Sequence, residues 1–481
     1  MFSSIEIILI SLVLAYVVSN AVWVFTGKSG PPRVPYYVPF LGHTKQLQTR
    51  ATEFLAECRA KYGNVFMLNY LGEQVVVFSG EDAAAMVKMQ DVLIKESHNR
   101  VMFASDAVGD WEGALGLPNQ HLDAAVVVKS NISHLLKEVL PEVLTQIEKS
   151  INEQLGTLEK PIVIDSHAFF SEIVVSTVAI LLVGHKLAKN EDLKRIMAIY
   201  FSEIEGMMKL GLKWKLFPYV GNQIAQTVVR ANTPSIRVRR EIKNIIKPTF
   251  HERKENSAPA TNVLESLIDD GRDIDTIAHA LMTLIFAAIS TTTSACIQLM
   301  GDLLAFPEFI DRLKQEQRQV VKDGEVVTKD HLEQMVHLNS AIRETLRHRG
   351  HHLGQWRITS KHQVLRNGME IPEGALLALD GTSLHFNEKD YPSPHEYKPF
   401  RFVGTGLNAT RVNGSFIGFG AGRHACPGRF FAVQEVTSIM STLLRKCGFS
   451  TVDGKPGPFN THEIFPAGSK IVLSQAKLTG A

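Results

Sequence analysis

From Ile7 to Gly27 the chain carries no charge, and Ile, Leu, Val, Ala and Phe dominate. About 20 such residues at ~1.5 Å rise per residue cross a ~30 Å hydrocarbon layer, so the pattern predicts a single N-terminal transmembrane helix over residues 6–26. Glu6 rather than a basic residue precedes the run, and no clear small-x-small site follows it, which argues against a cleaved signal peptide. Lys28, Arg33 and Lys45 lie just after the run and place the rest of the chain on the cytosolic side. Residues 27–37, with Pro31, Pro32 and Pro35, read as a stiff non-helical hinge, and residues 38–481 as the folded body.

Downstream, the spacing of apolar residues predicts a short amphipathic helix over Phe54–Tyr62. Val65–Tyr70 and Val75–Ser79 alternate as strands joined across Leu71-Gly72-Glu73-Gln74. Helical periodicity then runs from about Asp123 to His348, with one polar break at Lys254–Pro259. Val364–Pro372 reads as a hairpin turning at Asn367-Gly368, and His462–Leu473 as a further strand pair. The fold class that follows is mainly α with small β-sheets at the margins. Thr276–Gly301 lacks Asp, Glu, Lys and Arg, yet gathers Ser290, Thr291, Thr292, Thr293 and Ser294 at its centre. A lipid-facing helix would not place five hydroxyls at mid-depth, so this segment is expected to be a core helix with a polar notch facing a cavity.

Composition narrows the picture. Across 481 residues there is no internal repeat and no linker after residue 40, so one large domain is expected. A formal net charge of +2 gives no nucleic-acid footprint. The four cysteines, Cys58, Cys296, Cys426 and Cys447, include no CxxC pair, which excludes zinc, iron–sulfur and disulfide frameworks on ligand count.

Chemistry concentrates in Phe419-Gly420-Ala421-Gly422-Arg423-His424-Ala425-Cys426-Pro427-Gly428. Glycines at 418, 420 and 422 permit close backbone approach. Pro427 and the residues after it predict a helix starting directly behind Cys426, with Pro at its first position. A sulfur there faces free N–H groups, which lower its pKa.

This stretch resembles the haem-binding signature of the cytochrome P-450 superfamily, Phe-x-x-Gly-x-(Arg/His)-x-Cys-x-Gly, at every defined position. Glu344-Thr345-Leu346-Arg347 is similar to the family's Glu-x-x-Arg, whose charged ends share one helix face. Pro399-Phe400-Arg401-Phe402 resembles the loop that completes a Glu344–Arg347–Arg401 brace. Ala287-Ala288-Ile289-Ser290-Thr291-Thr292 is similar to (Ala/Gly)-Gly-x-(Asp/Glu)-Thr-Thr, with Ala288 in place of Gly and Ser290 in place of the acid.

The resemblance implies the cytochrome P-450 fold for residues 38–481, haem b with Cys426 as its axial iron ligand, and Phe419, Gly420 and Gly422 framing the cofactor loop. It implies propionate partners at His424 and Arg357, with Lys129 a weaker candidate, and proton handling by Thr291 helped by Ser290. It further implies a monooxygenase at the endoplasmic reticulum membrane, taking electrons from NADPH through a separate flavoprotein reductase. Arg423, Arg429, Arg445 and Lys446 are expected to form the basic patch that such a reductase meets. The run from Gly422 to Ala432 is similar to fungal members, pointing to a lipophilic terpenoid, sterol-like or terpene–indole substrate, with Trp356 expected on the pocket wall. A haem-thiolate isomerase or dehydratase acting on a peroxide without reductase is the alternative. A haem sensor would need an output domain, and none is visible.

Overall fold

The structure is a computed structural model that describes residues 30–36, 41–103, 107, 127–128, 133–215, 221–255, 258–350, 353–457 and 468–475. The expected anchor over residues 6–26 and the candidate Lys129 lie outside the described residues. The chain divides into two compact units, one of residues 1–103, 210–228 and 352–384, the other of residues 104–209, 229–351 and 385–481.

The first unit is built on a sheet. β1 (Val65–Tyr70) and β2 (Glu73–Phe78) pair antiparallel across Leu71 and Gly72, whose φ angles of 51° and 80° make the tight twisted turn that suits a hairpin. With β3 (Val92–Leu93), β5 (Leu353–Thr359) and β8 (Leu376–Asp380) they form a sheet in the order β1-β2-β8-β5-β3. β8 is buried along its whole length, and β2 runs parallel to it. Helix α1 (Ala51–Tyr62) starts three residues earlier than periodicity alone suggests and packs Phe54, Leu55 and Cys58 against Phe66, Leu68, Val75 and Val77. Trp356 belongs to this core, stacked on Tyr70 at 5.9 Å, and not to an open pocket wall. β6 (Gln363–Val364) and β7 (Glu370–Ile371) confirm the Asn367-Gly368 hairpin, with Gly368 at φ 80°.

The second unit is helical. Its described helices include α2 (Ser133–Leu155), α3 (Ser166–Ala188), α4 (Ser235–Lys254), α5 (Val263–Asp269), α6 (Ile274–Ala305), α7 (Ile310–Val320), α8 (Val336–His348) and α9 (Arg429–Lys446). α4 ends at Lys254, where the polar break begins. α6 starts at Asp273, whose side chain accepts from the N–H groups of Asp275 and Thr276. Both α3 and α6 are long and apolar enough to cross a membrane. They instead pack against each other, and α6 also contacts α4, α8 and α9, as the hydroxyl notch requires. A three-stranded sheet in the order β4-β10-β9 joins β4 (Ile162–Asp165), β9 (Cys447–Thr451) and β10 (Lys470–Gln475). Of the strand pair expected within His462–Leu473, residues 462–467 lie outside the described residues; Lys470–Leu473 form part of β10, which pairs with β4 and β9.

Candidate active site

Cys426 sits at the end of a folded-back loop. Its N–H donates to the Phe419 carbonyl at 2.7 Å, and the Gly420 N–H donates to Ile417 at 2.8 Å. Gly420 and Gly422 hold φ angles of 75° and 64°, a conformation costly for any residue with a Cβ. Gly418 is required for a different reason. A Cβ there would come within 2.8 Å of Phe416 Cζ and 3.2 Å of Leu346 Cβ, so the loop presses directly on α8. Of the four cysteines, Cys426 alone is not buried.

The helix after Cys426 begins later than expected. A short 3-10 turn spans Gly422–His424, Gly428 caps α9, and Arg429 is the first helical residue, so Pro427 precedes the helix. The thiol pKa is shifted up rather than down. Burial pushes it up, against the N–H groups of Gly428 and Arg429 and the Arg429 guanidinium, which pull it down. Arg429 also donates to the Cys426 carbonyl at 2.8 Å and to the Thr410 carbonyl at 3.0 Å.

The brace is present as expected. Arg347 donates to both oxygens of Glu344 at 2.9 Å, Arg401 Nε donates to the same carboxylate at 3.0 and 3.2 Å, and the Lys398 N–H adds a bond at 3.0 Å. Glu344 and Arg347 are fully buried. Burial alone would raise the Glu344 pKa, but hydrogen bonds from Arg347 and His348 outweigh it and hold the carboxyl down to about 2.

On α6, Ala287, Thr291 and Ser294 are exposed although most of the helix around them is buried. Their spacing of four and three residues puts them on one face. Thr291 Oγ donates to the Ala287 carbonyl at 2.9 Å and Ser290 Oγ to the Phe286 carbonyl at 3.4 Å, both back-bonds within the helix. The helix runs without interruption through Ala288.

A family model for cytochrome P450 matches residues 32–472. The chain belongs to the cytochrome P450 monooxygenase family. It is similar to cytochrome P450 monooxygenase 103 of Postia placenta, with 26% identity over 96% of both chains. It is also similar to lanosterol 14-alpha demethylase of Rattus norvegicus, with 28% identity over 91% of this chain and 86% of that one. The solved structure of a retinoic-acid-bound cyanobacterial CYP120A1 shares its fold, with a TM-score of 0.66, 20% identity, and coverage of 93% of this chain and 99% of that one. P450 enzymes carry haem with thiolate-bound iron, draw on a redox partner, and take lipophilic substrates.

The residues of this P450 fit that cofactor. No cluster of three or more His, Cys, Asp or Glu able to hold a metal occurs among the described residues. The sulfur of a half-buried cysteine with two N–H groups directed at it suits an iron that arrives with its other ligands already in place. His424 is half-buried and accepts from Arg423 Nε at 2.8 Å. Arg357 lies in the first unit, buried, with Nη1 donating to the Trp356 carbonyl at 2.8 Å. The expected basic patch is reduced. Arg429 turns inward, Arg445 is half-buried with its pKa lowered by burial, and Lys446 pairs with Glu148 at 3.2 Å, whereas Arg423 is exposed.

Three supporting residues escaped sequence reasoning. Arg343, one turn before Arg347, is fully buried, donates to the carbonyls of Asn408 and Arg411 at 2.8 and 2.6 Å, and lies 3.7 Å over the Phe416 ring. His385 links brace to loop: its carbonyl accepts from Arg347 at 2.5 Å, and its Nε2 accepts from the Ile417 N–H at 3.0 Å. Burial pushes its pKa down to about 3, so it is neutral and able to accept. Glu435 is a buried acid on α9. The only signal for these in the sequence is a polar residue among apolar neighbours, which elsewhere marks a solvent-facing helix position.

Proposed function

We propose that this P450 is a membrane-anchored monooxygenase that oxidises a polycyclic lipophilic substrate of the sterol-like, terpenoid or terpene–indole class, in fungal secondary metabolism. Electrons come from NADPH through a separate flavoprotein reductase at the endoplasmic reticulum, with residues 6–26 as the anchor and the body cytosolic. The similarity to fungal monooxygenases and to lanosterol demethylases supports the substrate class. The uncharged run supports the anchor. The observation that carries the chemistry is Cys426, the one cysteine that is not fully buried, on its glycine-shaped, brace-supported loop.

When bound, haem b supplies the redox centre at which dioxygen is cleaved, one oxygen atom entering the substrate and the other leaving as water. Cys426 holds it through Sγ, and the Gly428 and Arg429 N–H groups orient that sulfur. His424 and, by resemblance, Arg357 are the propionate partners. Phe419, Gly420 and Gly422 shape the loop. On α6 the exposed Thr291 hydroxyl accepts a proton from water with its lone pairs and passes its own on by rotating away from the Ala287 carbonyl. Ser290, standing where the family has an acid, adds a second hydroxyl to this path.

The test is turnover of a sterol and terpenoid panel with NADPH and added reductase, for wild type and Thr291→Ala. Product formation in the variant should fall by roughly 10²–10⁴-fold. NADPH consumption should fall less, with the surplus appearing as hydrogen peroxide, and haem content should be retained. Turnover of a peroxide without reductase, insensitive to Thr291, would establish the isomerase instead.

A further inference from the structure

Asp302 lies in the last turn of α6 and is fully buried. Arg349, the residue that closes α8, reaches it with two nitrogens. Nε donates to Oδ1 at 3.1 Å and Nη2 to the same oxygen at 2.6 Å. Oδ2 accepts from Thr345 Oγ on α8 at 2.7 Å. The Thr345 hydroxyl has one proton, so the Tyr397 hydroxyl is the donor in their 3.0 Å contact. Thr345 and Tyr397 are buried, and the Arg349 side chain is 4% exposed.

A carboxylate in this place has two costs. Burial strips its water, and the C-terminal end of a helix already carries partial negative charge. What the pair adds is a fixed join between α6, the helix of Thr291, and the end of α8, the helix of Glu344 and Arg347. The join falls one residue before a close approach. A Cβ on Gly350 would lie 3.0 Å from His385 Nδ1 and Cε1 and 3.1 Å from the Leu346 carbonyl, so a methyl group there would press on the His385 ring. That ring accepts the Ile417 N–H at 3.0 Å, and Ile417 stands at the start of the loop that ends at Cys426.

We propose that Asp302 and Arg349 are positioning residues: their ion pair ties the end of α8 to α6 and, through Gly350 and His385, holds the cysteine loop in place. The pair does not depend on what Cys426 binds; only its effect on the iron rests on that reading. The groups facing Asp302 are Arg349 and Thr345, which lower its pKa, Glu344, which raises it, and Tyr397, kept neutral by burial. Burial is the largest effect and sets the carboxyl at about 6. If Arg349 withdraws while Asp302 stays in the core, the carboxyl loses its cation and holds its proton more tightly still. Acid therefore favours withdrawal as pH falls through about 6. Against the unfolded chain the sign is opposite. There the raised pKa gives a contribution to stability that is greatest below the ordinary 3.8 and is lost as pH rises through about 6, so the local opening is separable from acid unfolding. Glu344 and His385 titrate well away, at about 2 and about 3. His348, beside Glu344 and Tyr397, also has its pKa lowered, and Asp302→Asn separates its titration from that of Asp302.

The experiment compares full-length holoenzyme as wild type, Asp302→Asn, Arg349→Met and the double variant. Two quantities are read at about pH 7.5 and about pH 5.5: amide hydrogen exchange over residues 345–350 and 416–420, corrected for intrinsic exchange, and the half-life of the thiolate band in the reduced carbon monoxide spectrum. In wild type, exchange in both stretches should rise about tenfold between the two pH values, and the band should decay correspondingly faster. Asp302→Asn should exchange at the faster rate at both, with no pH step. The double variant should be no looser than either single variant, because the two residues act as one pair. A wild type without the pH step, an Asp302→Asn protein that keeps it, or effects that add in the double variant each overturn the proposal. Faster exchange confined to residues 345–350 overturns the tie to the cysteine loop. The wild-type comparison stands even if no variant folds. Absence of the thiolate band from wild type at both pH values would contradict Cys426 as the ligand, and exchange alone then decides the proposal.

Discussion

Glu344 and Glu435 are both almost fully buried, on helices α8 and α9 that pack together, yet their neighbours send their titration in opposite directions. Arg347, Arg401 and His348 surround Glu344, holding its carboxyl down to about 2. At Glu435 burial outweighs the smaller pull of the Thr177 and Thr292 hydroxyls. Because the folded pKa of Glu344 lies below the ordinary value of 4.5, its stabilisation is present above about pH 4.5 and is lost as pH falls towards 2. The shift corresponds to stabilisation on the order of 3 kcal/mol, and removing the charge strands two buried guanidinium groups. Glu344→Gln should therefore lower the unfolding midpoint markedly at pH 7, with the gap to wild type narrowing between pH 4.5 and 2 in acid unfolding curves. A gap independent of pH would show that the brace is not ionic. The Glu344–Arg347–Arg401 brace was legible because its members sit in two recognisable motifs. Arg343, His385 and Glu435 were not, since a single charged or polar residue in a helical pattern ordinarily faces water.

At the scale of elements, local chemistry was readable and long-range pairing was not. The hairpin turn at Gly72 and the turn at Gly368 follow from glycines, which adopt positive φ without steric cost. β10 could be seen as a strand, but its partners Ile162–Asp165 and Cys447–Thr451 are fixed by tertiary contacts that no local pattern encodes. The start of α9 was misplaced because Pro427 suits a first helical position, whereas Gly428 is the actual cap and leaves the sulfur in a bend before the helix. That bend depends on the loop lying close to α8. Gly418→Ala puts a methyl group against Phe416 and Leu346 and should destabilise the protein by about 1–3 kcal/mol, with weakened haem retention. Thermal unfolding together with haem content measures both, and an unchanged midpoint would mean that the loop is free to move off the helix.

For the whole molecule, composition and patterning announced a large, mainly helical body, and the structure bears this out while dividing it into two units, one carrying the main sheet and the other the helices. The apolar stretch around Thr291 was separable from a membrane span because a row of hydroxyls needs polar company, and α6 is packed within the helical unit. The proposed cytosolic orientation makes its own prediction. Asn131-Ile132-Ser133, Asn408-Ala409-Thr410 and Asn413-Gly414-Ser415 match the glycosylation pattern and should carry no sugar in the native protein. Mass spectrometry of the corresponding peptides checks this, and a glycan on any of them places the body on the opposite side of the membrane. The central claim is narrower: iron held by one sulfur, that of Cys426. Its most direct test is the reduced carbon monoxide difference spectrum of wild type, Cys426→Ser, and single replacements of Cys58, Cys296 and Cys447. The thiolate-type band should be present in wild type and in the three control variants, and lost in Cys426→Ser. A Cys426→Ser protein that keeps the thiolate band would contradict the account.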